Sequence, residues 1–281
     1  MAKDYTVKNK KIKTEYGFVK IKILTPKEKL SQEETPGVLW IHGGGYIYGF
    51  ASMVYFTRGI DLVKKHKAVV VALNYRLAPK HKYPAALMDC YEVLKYIKEN
   101  ANVLGINDSQ IMVGGESAGG GLTCALSIYA RDKGEVNIAY QMPIYPMIDC
   151  FDTPTNKDNH EKGWNTRRNR SAWKKYLGNL LESEDVSPYA SPSRLKDYSN
   201  LPPAYTYVGD IEPFYYETLE YIKKLNEAGI DAKVDVYKNW YHAYDMGSPY
   251  KEISKLAIKR FNEEFAYAKK HYFKEQNKTS M

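Results

Sequence analysis

The sequence predicts an α/β fold built on a mostly parallel sheet of about eight strands flanked by helices. Two observations carry that expectation. From Gly37 onward, short apolar runs alternate with amphipathic stretches at helical spacing, the rhythm of right-handed strand-helix-strand crossovers. The chain of 281 residues, 44% hydrophobic and 26% charged, suits one domain over residues 1–281 with a sizeable core.

Each element has its own signal. Tyr5 to Lys11 and Gly17 to Leu24 alternate polar and apolar residues and read as a strand pair near a sheet edge. Strands are then expected at Val38 to Ile41, Ala68 to Leu73, Ile111 to Gly114, Ala139 to Ile144, Tyr205 to Val208 and Ala232 to Tyr237. Helices are expected near Phe56 to His66, Ala85 to Glu99, Ala118 to Arg131, Tyr215 to Ala228 and Tyr250 to Ala268. In the second of these, Leu87, Tyr91, Leu94 and Ile97 fall on one face and belong to the core. Between residues 150 and 200 the rhythm breaks into a polar stretch holding Trp164, Trp173 and Tyr176. A structureless loop of that length is uncommon inside a compact domain, so the segment is expected to be an inserted lid.

Composition narrows the function classes. The N-terminal stretch Met1 to Lys13 is lysine-rich without an apolar core, and no run is long enough for a membrane span. A cytoplasmic protein without membrane association is the expectation. The net charge of +8 is spread over lysines interleaved with acids, as in Lys251 to Lys259, which argues against nucleic acid as a partner. The three cysteines, Cys90, Cys124 and Cys150, are widely spaced and fit buried thiols better than disulfides or a zinc site.

Three segments carry chemistry. Gly115-Glu116-Ser117-Ala118-Gly119 has G-x-S-x-G spacing between an apolar run and a helix. A serine on so tight a turn adopts strained backbone and lifts its hydroxyl above the sheet edge. A plain glycine-rich turn is the alternative for the pentapeptide alone. His42-Gly43-Gly44-Gly45 follows an apolar strand, so its N–H groups, with that of Ala118, can converge on an oxygen that becomes negative. No Gly-Lys-Ser/Thr follows, which disfavours a phosphate loop. His42 itself is expected to orient the loop. Of the six histidines, none pairs at zinc-helix spacing, and only His242 follows a late strand, where the order serine, acid, histidine delivers a base. The acid should follow the strand ending at Val208, where Asp210 and Glu212 both qualify.

Together with Asn74-Tyr75-Arg76-Leu77-Ala78-Pro79 and the Gly209 to Pro213 segment, these motifs resemble the hormone-sensitive-lipase-like branch of the α/β-hydrolases, the bacterial carboxylesterases. The resemblance implies a triad of Ser117, Glu212 and His242, and an oxyanion hole from Gly44, Gly45 and Ala118 with Gly43 beside them. It also implies a serine carboxylesterase working through an acyl-enzyme, a mechanism that needs no metal and no cofactor; the short N-terminal part of the cap and the lack of an interface-binding helix predict acyl esters from acetyl to about hexanoyl. Glu116, Asn74 and Glu212 each stand where that family commonly has aspartate. Few residues precede His42, so the lid is expected to come mainly from Cys150 to Asn200. Tyr46, Tyr48 and Trp164 are the candidate pocket walls; packing under the lid is an equally good reading for Tyr46 and Tyr48, and a place in the lid core is the alternative for Trp164. An aryl formamidase, a deacetylase of sugars or xenobiotics, and a non-catalytic ligand-binding protein are the alternatives. The expected partner is a small-molecule ester, and the oligomeric state is open, a homodimer included.

Overall fold

A computed structural model describes residues 4–28, 30–183 and 185–277. Its centre is one eight-stranded sheet in the order β1-β2-β4-β3-β5-β6-β7-β8. The strands are β1 (Tyr5–Thr14), β2 (Gly17–Pro26), β3 (Pro36–Ile41), β4 (Val69–Asn74), β5 (Asn107–Glu116), β6 (Tyr140–Ile144), β7 (Ala204–Gly209) and β8 (Ala232–Tyr237). The β1-β2 hairpin and the β2-β4 pair are antiparallel, and every pairing from β4 to β8 is parallel. The expected strand positions therefore hold: β1, β2, β3, β5 and β7 are longer than the runs that announced them, β4 is shifted by one residue, β6 starts one residue later and β8 keeps its bounds.

The helices are α1 (Arg58–His66), α2 (Ala85–Glu99), α3 (Ala101–Leu104), α4 (Ala118–Lys133), α5 (Thr166–Leu177), α6 (Tyr215–Glu227), α7 (Tyr244–Gly247) and α8 (Glu252–His271). The stretch read as one helix from Phe56 splits into a 3-10 turn over Ala51–Phe56 and α1, because Thr57 is extended (φ −118°, ψ −175°).

The inner strands β3, β4, β6 and β7 and the second half of β5 are buried on both faces, and their period of two sorts side chains between opposite sides of the sheet. In β3, Leu39 and Ile41 join the core with α2 and α4, whereas Val38 and Trp40 join the core with α1 and α8. Strand β4 divides in the same way, Val69, Val71 and Leu73 to one side and Val70 and Ala72 to the other. On α2, Leu87, Leu94 and Ile97 are fully buried, each worth about 2 kcal/mol of transfer from water.

The Asn74 to Pro79 motif is structural. The Arg76 guanidinium forms a fork on buried Asp89 at 2.8 to 3.0 Å and ties the loop after β4 to α2. The Asn74 side chain accepts from the Ala51 N–H at 2.6 Å. All three cysteines are buried and free. Among the described residues, no helix is long and apolar enough to cross a membrane.

The segment between β6 and β7 is largely ordered around α5. Trp173 and Tyr176 are buried beneath it, against Tyr46 at ring-centroid distances of 5.3 and 4.1 Å. Parallel strands align the carboxyl ends of β3, β5, β7 and β8 along one edge, where His42, Ser117, Glu212 and His242 all emerge.

Candidate active site

Ser117 occupies the tight turn between β5 and α4 with φ +58° and ψ −120°, a conformation that costs on the order of 1–3 kcal/mol. The surroundings over-determine it. Its N–H donates to the Ile144 carbonyl at 3.0 Å, and its carbonyl accepts from Gly121 at 2.8 Å and Met147 at 3.0 Å. These bonds hold Ser117 Oγ 2.9 Å from His242 Nε2. The other ring nitrogen, Nδ1, lies in a very short contact with Glu212 Oε2, while Glu212 Oε1 accepts from the Gly209 N–H at 3.0 Å. The residues of the turn alone left two acids open, with the family resemblance pointing to Glu212, and the structure separates them. Asp210 faces the other way and accepts from the Asn239 N–H at 2.6 Å, fastening the turn after β8 and not its own turn. The extra methylene of Glu212 is accommodated because its carboxylate folds back onto the turn that carries it.

The glycine run lies against this turn. A Cβ on Gly43 would sit 2.8 Å from the Glu116 carbonyl and 3.3 Å from Ser117 Cβ. Gly44 has φ +115°, which a side chain would strain, and its carbonyl caps a turn by accepting from Ile47 and Tyr48. Among the described residues, the N–H groups of Gly44 and Gly45 donate to no protein acceptor. Ala118 is the first residue of α4, so its N–H has no partner within the helix. Free donors are therefore available on both sides of the serine.

Residues 38–246 match a family model described as the α/β hydrolase fold. The chain belongs to the α/β-hydrolase family. An AB hydrolase superfamily protein of Schizosaccharomyces pombe is 31% identical, over 85% of this chain and 72% of its own length. Esterase LipI of Mycobacterium tuberculosis is 28% identical, over 81% of this chain and 71% of its own. Among solved structures, a bacterial heroin esterase superposes with a TM-score of 0.85 at 30% identity, covering 95% of this chain and 84% of the other.

In this hydrolase the histidine is packed as well as bonded. The His242 ring sits edge-on to Tyr145 and Phe214, with centroids 4.9 and 4.8 Å away. Behind it lies a buried polar cluster that no sequence pattern announced. Asp245 accepts from the Tyr145 and Tyr207 hydroxyls at 3.0 and 2.6 Å and lies 3.7 Å from the Arg58 guanidinium. Glu116, beside the serine, accepts from Trp40 Nε1 at 3.1 Å and from the Arg58 N–H at 3.2 Å. Burial pushes the Glu116 carboxyl up to about 7, with Thr57 and Arg58 opposing. These partners come from separate strands and helices, so only the position of Glu116 within the pentapeptide was a local signal. Burial also holds the Glu212 carboxyl above its ordinary range, with the His242 ring opposing.

His42 acts as the sequence suggested. Its ring stacks on Tyr75 at 4.1 Å, and Nδ1 lies 2.8 Å from the Gly43 carbonyl. Burial lowers it to about 4, so it is neutral at physiological pH and donates from Nδ1 to that carbonyl.

The candidate pocket walls fare unequally. Of the two readings of Tyr46, the pocket wall gives way to packing under the inserted segment: it is buried, its hydroxyl donates to the Met147 carbonyl at 2.6 Å, and its ring is stacked on Tyr176 of α5. Tyr48 is 62% exposed. Trp164 packs against the glycine run, because a Cβ on Gly45 would meet its indole at 2.5 Å. Its neighbour Gly163, with φ +84°, lies against the His242 carbonyl, 2.7 Å from where its Cβ would be. The strip Gly163-Trp164 thus touches both the histidine loop and the glycine run. Among the described residues, no group of three or more metal-ligating side chains is clustered.

Proposed function

We propose that the chain hydrolyses short-chain acyl esters, acetyl to about hexanoyl, through an acyl-enzyme on Ser117. At the level of reaction class it is a carboxylic ester hydrolase, as are its esterase relatives. The observation that supports the mechanism is the unbroken line Ser117 Oγ, His242 Nε2, His242 Nδ1, Glu212, buried at the sheet edge.

In that mechanism His242 takes the Ser117 proton as Oγ bonds to the ester carbonyl carbon. Glu212 holds Nδ1 protonated and stabilises the imidazolium. The oxygen that becomes negative is received by the N–H groups of Gly44, Gly45 and Ala118, with Gly43 shaping the loop. The bond to the alcohol oxygen breaks, and the alcohol leaves with the proton from His242. Water then adds to the acyl carbon with His242 again as base, and the bond to Oγ breaks to release the acid. No step calls on a metal or an organic cofactor.

The short acyl range is supported by the lid. Trp173, Tyr46 and Tyr176 fill the space beneath α5, and Trp164 lies against Gly45, which leaves little depth for a long chain. The test is a series of 4-nitrophenyl esters of increasing acyl length beside acetylated sugars, N-formyl arylamines and emulsified long-chain triglyceride. The expected result is kcat/KM highest between acetyl and hexanoyl. Faster turnover of triglyceride, of formyl amides or of acetylated sugars would replace this reading with the corresponding one. Labelling by a fluorophosphonate that is lost in Ser117→Ala separates catalysis from ligand binding without turnover.

A further inference from the structure

The lid helix α5 has one buried face, formed by Thr166, Asn169, Ala172, Trp173, Tyr176 and Leu177. Its other face carries Arg167, Arg168, Arg170, Lys174 and Lys175 and no acid. On α8, by contrast, Lys255, Lys259 and Arg260 are each paired with an acid. On α5, Arg170 is taken up by Asp152, and Arg168 donates to the Gly163 carbonyl. Among the described residues, Arg167 and Lys175 have no ion-pair partner.

These cations surround a concavity of about 510 Å³ lined by Ile47, Trp164, Asn165, Arg167, Arg168, Ser171 and Lys175, with no carboxylate in its wall. Its place ties it to the chemistry. Trp164 is shared between the concavity and Gly45, and Ile47 lies in the turn capped by the Gly44 carbonyl. Arg168 is bonded to Gly163, which rests on the His242 carbonyl. A ligand seated there lies one indole away from the glycine run.

We propose that this concavity is a substrate subsite, and that the preferred esters end in a carboxylate. Trp164 and Ile47 supply an apolar wall for a hydrocarbon or aryl spacer. Arg167, Arg168 and Lys175 supply donors for a carboxylate at its end, where an arginine fork makes paired charge-assisted hydrogen bonds. The unpaired cations also raise the local concentration of an anionic ester before binding. The inference rests on the esterase reading and names the class of ester within it.

Two matched pairs test it and distinguish the acyl side from the alcohol side. One compares 4-nitrophenyl hemiglutarate with 4-nitrophenyl hexanoate, and the other 3-acetoxybenzoate with its methyl ester, each corrected for spontaneous hydrolysis. In at least one pair kcat/KM should favour the anion by roughly tenfold at low salt, and the ratio should shrink as ionic strength rises. Arg167→Gln/Lys175→Gln should bring that ratio toward one, and Arg167→Glu/Lys175→Glu should invert it. Lys259→Gln on α8 serves as the remote control and should leave it alone. A ratio near one in both pairs, or one that survives the charge reversal in a folded variant, overturns the subsite and leaves the esterase reading standing. Failure to hydrolyse any of the four esters overturns both.

Discussion

Replacing Glu212 with glutamine tests the acid assignment. Glu212 is fully buried and accepts two hydrogen bonds, from the Gly209 N–H through Oε1 and from His242 Nδ1 through Oε2. Glutamine has one acceptor for these two donors. If its carbonyl stays on Gly209, the amide NH2 faces Nδ1, which moves the imidazole proton to Nε2 and aims it at Ser117 Oγ. That tautomer cannot take the serine proton. If the amide flips, two donors meet at Gly209, and an unsatisfied buried group costs about 1–3 kcal/mol. Loss of the carboxylate opposite the imidazolium adds several more. The sum corresponds to about a 10⁴-fold fall in kcat, or roughly 5.5 kcal/mol. The assay is kcat/KM on a 4-nitrophenyl ester beside a thermal melt. Asp210→Asn keeps an acceptor for the Asn239 N–H, so it should cost within about 1 kcal/mol of stability and less than tenfold in rate. A Glu212→Gln enzyme that melts normally and stays within tenfold of the native rate, with Asp210→Asn the slower of the two, would refute the assignment.

Other outcomes follow from the same geometry. Ser117→Ala and His242→Ala should each abolish most of the chemical rate, and the double variant should be little worse than either; losses that multiply would show that the two do not act as a unit. His42 ionises at about 4 when folded and near 6.5 when unfolded, so the unfolded chain binds the extra proton between those values. Stability from this group is complete above about pH 6.5 and declines as pH falls toward 4, by on the order of 3 kcal/mol. His42→Gln should flatten that part of a stability-pH curve measured by denaturant unfolding, and an unchanged slope would dismiss the linkage. Gly163→Ala must place a Cβ at φ +84° and 2.7 Å from the His242 carbonyl. It should cost about 1–3 kcal/mol of stability and lower kcat by displacing the histidine loop, readable by a melt and steady-state kinetics; native kcat would show that the lid strip does not brace His242.

Local features of the sequence determined a good deal. Apolar runs and helical spacing placed the strands and the main helices, because each element must bury a face and its period records which one. Ser117, His42 to Gly45 and His242 were legible because the turns that carry them follow strand ends and need particular residue types. Between Asp210 and Glu212 the residues of the turn left the choice open and only the family resemblance pointed to Glu212, since both stand on one turn and the packed position of the β8-α7 loop decides which carboxylate meets Nδ1. Tyr46 shows the same limit: the sequence left it open between a pocket wall and packing under the inserted segment, and the path of α5 buried it. The cluster of Trp40, Arg58, Glu116, Tyr145, Tyr207 and Asp245 draws on distant segments that meet only when the sheet assembles. Likewise, Arg167 and Lys175 became part of a site only when folding set Trp164 against Gly45. Periodicity along a chain reports burial, whereas the meeting of charges across it depends on how helices and loops are stacked on the sheet.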